Sequence, residues 1–240
     1  MGRWPRIIVI SPVSPSMCAD WNQLFHNPAK VIREPDPLAL EFARAVPPGA
    51  RVLDLGCGAG RHLVNLAGAG FEVHGTDVAP QGLAVARQWL EMEGLSARLS
   101  LSDMTRQPYP EEFFDGILSL GVMNHAVLAD TFAAVAEARR LLKPGAPFFF
   151  TLIGVEDVRR GEGEEIEPNT FVHHQGLEAG VPHHYFSRDE ILQLAAPFAR
   201  KNYDSRHRPY NDADPVFGGD PRARARSDAW FHQWAVRVWK

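Results

Sequence analysis

Residues 52–63 read Val-Leu-Asp-Leu-Gly-Cys-Gly-Ala-Gly-Arg-His-Leu: an apolar run closed by an acid, three alternating glycines, then the start of a helical pattern. Few folds accept this order. The apolar run suits a strand buried on both faces of a parallel sheet, and glycines past its carboxyl end let the backbone turn sharply and meet a ligand as bare main chain. A helix beginning near Arg61 then aims its first amides and the positive end of its dipole at the same point. The spacing Gly56-x-Gly58-x-Gly60, preceded by Asp54, is not the G-x-G-x-x-G of dinucleotide sites, whose third glycine falls one residue later.

The rest of the chain alternates in the way such a strand requires. An apolar helical pattern (Leu38, Leu40, Phe42, Ala43, Val46) stops at Pro47-Pro48-Gly49. Strands are expected at Arg51–Leu55, Phe71–Thr76, Ala97–Leu101, Phe113–Leu120 and Pro147–Ile153, with helices at Gln81–Glu93 and Asp130–Leu142. That alternation predicts an α/β fold whose parallel sheet is covered on both faces. From Gly154 to Val181 the pattern gives way to a long polar excursion, of the kind that is usually functional or mobile. Ser187-Arg188-Asp189-Glu190 has the form of a capping box opening a helix through Ala196. Phe198–Arg206 and Trp230–Trp239 are expected as final strands, joined by a Gly- and Arg-rich link around Gly218–Arg226.

A length of 240 residues allows one α/β domain with decorations, and a net charge of −4 argues against a nucleic-acid binder. The two cysteines, Cys18 and Cys57, are isolated, which excludes a disulfide framework or a thiolate zinc site and favours a cytoplasmic setting. No stretch is long enough to span a membrane. Arg3–Val13 fails as a signal peptide, because its apolar core is short and interrupted by prolines, and it is expected to form a loose arm. Met17 is an alternative start, which would leave residues 1–16 outside the native chain.

Asp54-x-Gly56-x-Gly58-x-Gly60 after an apolar strand resembles motif I of the class I S-adenosylmethionine-dependent methyltransferases, and further segments match that family in order. His74-Gly75-Thr76-Asp77 ends the second strand in an acid, which the resemblance assigns to the ribose hydroxyls, with Val78 beside it; a carboxylate has two acceptor oxygens for a vicinal diol. Ser102-Asp103-Met104 supplies the acid for the adenine amino group and an apolar side chain for the ring face. Phe113–Gly121 resembles the F-D-x-I-x-S strand, so Leu118, Ser119 and Leu120 would lie at the cofactor and Asp115 would be structural. Leu141-Leu142-Lys143-Pro144-Gly145 is similar to the family's element before the fifth strand. The cofactor set implied is Asp54, Gly56, Cys57, Gly58, Gly60, Asp77, Val78, Asp103, Met104, Leu118, Ser119 and Leu120, holding S-adenosylmethionine and its product S-adenosylhomocysteine. The fold implied is a Rossmann-like three-layer sandwich on a seven-stranded, mostly parallel sheet of order 3-2-1-4-5-7-6 with the last strand antiparallel. It would occupy residues 35–240, with a lid-like insertion at about 154–185 and an arm, residues 1–34, able to serve as an active-site flap.

The Asn/Asp-Pro-Pro-Tyr/Phe motif of amino-methylating DNA and protein-glutamine enzymes is absent, as is the paired-glutamate loop of protein arginine methyltransferases, and no acid lies between Asp115 and Asp130 to form a catechol-type magnesium site. These absences point to a small-molecule acceptor. His183-His184-Tyr185-Phe186-Ser187, with Glu190, resembles bacterial tellurite-resistance-like methyltransferases. The proposed chemistry is in-line displacement at the methyl carbon, with His125 the candidate base if the acceptor arrives protonated. Trp21, Phe25, Asn124, Asn169, His183 and Tyr185 are the candidate substrate-lining residues. The pairs His173-His174 and His183-His184 offer imidazoles, but neighbours in a pair point different ways and no carboxylate lies at a recognisable ligand interval, so no metal is expected. The expected protein is a monomer or homodimer without nucleic-acid or membrane partners. Two alternatives stay open on the residues alone: an NAD-dependent oxidoreductase, and an S-adenosylmethionine-binding protein that transfers no methyl group.

Overall fold

The computed structural model describes residues 8–9, 21–22, 24–25, 31–175, 178–209 and 230–240. The alternative start at Met17, Cys18 and the link around Gly218–Arg226 lie outside the described residues. The strands are β1 (Ile8–Val9), β2 (Arg51–Leu55), β3 (Glu72–Asp77), β4 (Arg98–Leu101), β5 (Gly116–Ser119), β6 (Pro147–Ile153), β7 (Glu164–Glu167), β8 (Thr170–Val172), β9 (Pro182–His184), β10 (Arg200–Pro209) and β11 (Trp230–Trp239). The helices are α1 (Pro37–Ala45), α2 (Arg61–Gly68), α3 (Pro80–Met92), α4 (Leu128–Leu141) and α5 (Arg188–Ala195).

The main sheet has the order β1-β4-β3-β2-β5-β6-β11-β10. Without β1 this is the expected seven-stranded arrangement, and β11 runs antiparallel to both β6 and β10. The two-residue β1 pairs in parallel with β4, so part of the segment expected to be a loose arm instead continues the sheet. Its apolar β-branched residues pair with the otherwise open edge of β4.

Successive residues of the central strands face opposite helical layers. Leu53, Ile117, Phe148, Phe150 and Val236 pack with Ala134, Ala138 and Leu141 of α4 and Ile191 and Leu194 of α5. Val52, Leu118, Phe149 and Ala235 pack with Leu38 and Phe42 of α1, Leu63 and Leu66 of α2, and Leu83 and Leu90 of α3. All seven residues of β6 are buried, which is why its sequence is an almost unbroken apolar run. The capping box is formed: the Ser187 hydroxyl accepts from the Glu190 amide and the Glu190 carboxylate accepts from the Ser187 amide.

The polar excursion is not a structureless loop. β7, β8 and β9 form a separate antiparallel sheet, turned by Asn169 in the left-handed region at φ 63°, a conformation Asn tolerates better than most residues. Its roots are pinned together, since the Phe186 amide donates to Ile153 O (2.7 Å) and the Val155 amide to Phe186 O (3.1 Å).

Gly116 opens β5 where α1 crosses. A Cβ there would stand 2.6 Å from Val46 Cγ1 and 2.9 Å from Phe42 Cζ, both in buried side chains. Gly116→Ala is therefore expected to destabilise the fold by about 1–3 kcal/mol through overpacking. Urea denaturation checks this, and an unchanged midpoint would show that α1 moves aside freely.

Candidate active site

The chain leaves β2 toward β3 and β4 on one side of the sheet, and β5 leads to β6 on the other. Strand order thus reverses between β2 and β5, and the crevice outside their carboxyl ends is where open α/β sheets bind ligands. A cavity of about 740 Å³ lies there, walled by segments following β2, β3, β4, β5 and β6. Glycine is required in the first of these. Gly56 has φ 77°, and a Cβ on it would come within 2.4 Å of Val122 across the cavity floor.

Asp77 caps β3 and reaches the cavity wall. Its Oδ2 accepts from the Gly58 amide (2.7 Å) and its Oδ1 from the Ala79 amide (2.8 Å), so each oxygen keeps lone-pair capacity for a ligand. Burial raises its pKa, against the pull of those amides. Val78 and Met104 line the same wall. So does Asp103, whose Oδ1 accepts from the Thr105 amide and hydroxyl in a tight turn.

Asp54 lies one layer below the cavity, 1% exposed, with no side chain hydrogen-bonded to either carboxylate oxygen. Burial raises its pKa to about 7, opposed by Arg61 and reinforced by Asp77. Arg61, the first residue of α2, lines the cavity with Asp36 and Asp54 as its opposing charges. His62 also lines it, and burial lowers its pKa to about 3, so it is neutral.

At the far end, Trp21 packs edge-on against His125 (centroids 4.8 Å), and Asn124, Glu178 and Arg159 complete the wall. Burial lowers the His125 pKa to about 4 despite Glu178, whose Oε1 is 3.9 Å from His125 Nε2. Burial would raise Glu178, but its contact with His183 and the nearby His125 and Arg159 hold it at about 2. Phe25 closes over the glycine loop, 3.0 Å from the Cβ position of Gly58, and the Asn22 side-chain Oδ1 accepts from the Gln81 amide at the start of α3. Because Ala79, the N-cap of that helix, has no capping side chain, the N-terminal segment supplies the missing acceptor.

The structure therefore brings Gly56, Cys57, Gly58, Asp77, Val78, Asp103, Met104, Leu120, Trp21, Phe25, Asn124 and His125 to one cavity. The other expected residues lie off the cavity surface. Leu118 and Ser119 are wholly buried in the sheet, where the Ser119 hydroxyl donates to Leu55 O (2.9 Å). Gly60 packs against Ala86 at the N-cap of α2, outside the cavity lining. Asn169 sits at the β7–β8 turn, accepting from Arg160, and Tyr185 is buried against Phe171. His183 is buried behind Glu178 rather than on the cavity surface. Arg61, Arg159 and Glu178 were not anticipated. Arg61 had a signal, a cation opening the helix after motif I, whereas Arg159 and Glu178 lie in the excursion, where no periodicity marks a direction.

The Asp54 carboxyl titrates near 4 when unfolded, so between about pH 4 and 7 the native state holds the extra proton and stability falls as pH rises. In the ligand-free protein, Asp54→Asn is expected to gain up to about 4 kcal/mol on the wild type between about pH 4 and about pH 8. Parallel urea-denaturation curves of the two proteins across that range would show that Asp54 stays ionised.

A family model described as a methyltransferase domain matches residues 52–145. The ubiquinone biosynthesis O-methyltransferase of Hahella chejuensis is 36% identical over 132 residues, 52% of this chain and 52% of that protein. The chain spans about half the length of the curated relatives it matches first. Among solved structures, a SAM-dependent methyltransferase from Methanosarcina mazei superposes with a TM-score of 0.67 at 18% identity, covering 86% of this chain and 98% of that one. TehB from Haemophilus influenzae superposes with a TM-score of 0.59 at 16% identity, covering 86% and 62%. The methyltransferase-domain match over residues 52–145 and the fold built around it make the chain similar to S-adenosylmethionine-dependent methyltransferases.

Proposed function

We propose that this chain transfers a methyl group from S-adenosylmethionine to a small-molecule acceptor by in-line displacement. The observation that carries the reading is Asp77, held on the cavity wall by the Gly58 and Ala79 amides at the switch point of the sheet. When bound, the cofactor supplies the methyl group on a sulfonium whose thioether is the leaving group.

The residues present fit that cofactor. Asp77 offers acceptor capacity for the ribose diol, and Asp103 and Met104 suit the adenine amino group and ring face. Arg61 supplies a cation for the carboxylate end, and the unpartnered Asp54 carboxyl beneath the loop suits an ammonium group nearby. Trp21 and Phe25 act as a flap that excludes water above the glycine loop. The three-stranded excursion carrying Glu178 and His183 serves as the lid over the acceptor. A cavity of about 740 Å³ suits the cofactor with a small acceptor.

The relatives named as ubiquinone biosynthesis O-methyltransferases suggest an oxygen acceptor. His125 is the candidate for its proton on position, with Glu178 3.9 Å away to stabilise an imidazolium, although a pKa near 4 makes it a weak base. The isolated Cys57 suits a reducing compartment, and we set the reaction in the cytoplasm, in a monomer or homodimer. Among the described residues no helix is long and apolar enough to cross a membrane.

Calorimetry with S-adenosylmethionine, S-adenosylhomocysteine and NAD tests the cofactor assignment. The first two are expected to bind and NAD to fail, and Asp77→Ala to weaken binding by about 10- to 150-fold, the worth of a hydrogen bond to a charged group. Tight NAD binding would return the chain to the oxidoreductases. With an acceptor found by screening phenols and catechols, His125→Gln is expected to lower kcat by ~10²- to 10⁴-fold while leaving cofactor affinity intact. An unchanged kcat removes His125 from proton chemistry.

A further inference from the structure

Two clusters of potential metal ligands occur among the described residues: His125, Glu178 and His183 beside the cavity, and the exposed Glu156 and His207 with the buried His232. Hydrogen-bond accounting separates them. In the second cluster, His232 Nδ1 accepts from the Glu156 amide (3.1 Å), which leaves the ring proton on Nε2, 3.0 Å from the Ser205 hydroxyl. That ring has no lone pair left to offer a metal.

The first cluster has the opposite arrangement. His183 Nδ1 lies 2.9 Å from Val181 O, and a carbonyl only accepts, so the ring proton is on Nδ1. The lone pair of a neutral His183 Nε2 then faces Glu178 Oε2 at 3.0 Å. A nitrogen lone pair and a carboxylate oxygen cannot rest at that distance without a cation. His125 Nε2 faces the other oxygen of the same carboxylate at 3.9 Å, and all three ligand atoms lie within 4.8 Å of one another. A second proton on His183 would satisfy the first of these two contacts. A metal ion satisfies both.

We propose that His125, Glu178 and His183 form a binding site for a divalent transition-metal ion, zinc being the best match. Two imidazoles with one carboxylate suit zinc and its neighbours rather than magnesium or calcium. Bonds of about 2.0–2.1 Å in tetrahedral geometry place ligand atoms about 3.3 Å apart, close to the separations here after a modest contraction. The Val181 carbonyl is the outer partner that fixes a ligating histidine in its tautomer. Asp157 holds Arg159 through two hydrogen bonds (2.8 and 3.0 Å), which offsets part of the charge that this cation places near Glu178. His125 and Glu178 both line the cavity, so the fourth position of the ion opens toward it, where an acceptor oxygen fits as a ligand. This last clause rests on the proposed methyl transfer; the binding of the ion does not. The inference also replaces the base role of His125, since one lone pair cannot serve both.

The test uses the full chain, stripped with chelator, and Zn²⁺ or Co²⁺ alone. The wild type is expected to take up one ion per chain, with the visible absorption of four- or five-coordinate Co²⁺. Glu178→Gln and His183→Asn are expected to lose at least ~100-fold in affinity, and His207→Ala to lose none. In the wild type, one equivalent of Zn²⁺ should shift the imidazole NMR signals of both His125 and His183, a readout that does not depend on the variants folding. No uptake at ~0.1 mM ion, or uptake abolished by His207→Ala, overturns the proposal and leaves a protonated His183 as the cation. Neither result depends on S-adenosylmethionine, so failure here leaves the methyltransferase reading untouched.

Discussion

Everything at the site depends on the reversal of strand order between β2 and β5. Because the two neighbouring strands send their connections in opposite directions, no crossover covers the crevice at their carboxyl ends. Five strand-end segments converge there, carrying between them four kinds of chemistry: main-chain amides after β2, acids after β3 and β4, an imidazole after β5, and an Asp–Arg pair after β6. The buried core on both faces, built on β6 and its neighbours, holds these ends in place, and the hydrogen bonds from Gly58 and Ala79 to Asp77 tie the first two segments together.

Charge in the cavity is unevenly compensated, and the imbalance has a direction. Asp157 and Arg159 pair with each other, and Asp77 has two amides. Asp54 has no side-chain hydrogen bond, and burial outweighs Arg61 and the Leu63 amide in favouring its neutral form. Burying an unpaired carboxyl costs folding free energy, which a cationic or hydrogen-bonding ligand can offset. Glu178 stays ionised, with His183 Nε2 3.0 Å from one of its oxygens and His125 Nε2 3.9 Å from the other. One end of the cavity thus favours an ammonium group and the other an additional cation.

The fold was largely legible in the sequence, because strand and helix periods, proline and glycine stops and the Ser187–Glu190 box are local signals that the tertiary structure reinforces. β6 matches the expected Pro147–Ile153 residue for residue, as does β2 at Arg51–Leu55. The three strands of the excursion were not legible, since strands of three or four residues carry too few alternations to register as a period. The same weakness hid Glu178. A ligand separated from His125 by 53 positions, as the two numbers show, has no interval that sequence spacing can recognise.

The sequence by itself determined the class of fold, the glycine loop with its flanking acids, and the donor end of the chemistry. Those features sit at strand ends whose order is set by local pattern. Only the tertiary structure decided what stands at the proposed acceptor end. It buried Tyr185, placed Asn169 at the β7–β8 turn, and brought His125, Glu178 and His183 to one point. The reason is physical: an insertion folded as its own small sheet places side chains by the register of its strands and by the anchoring at Gly154 and Phe186, and neither is written in residue spacing.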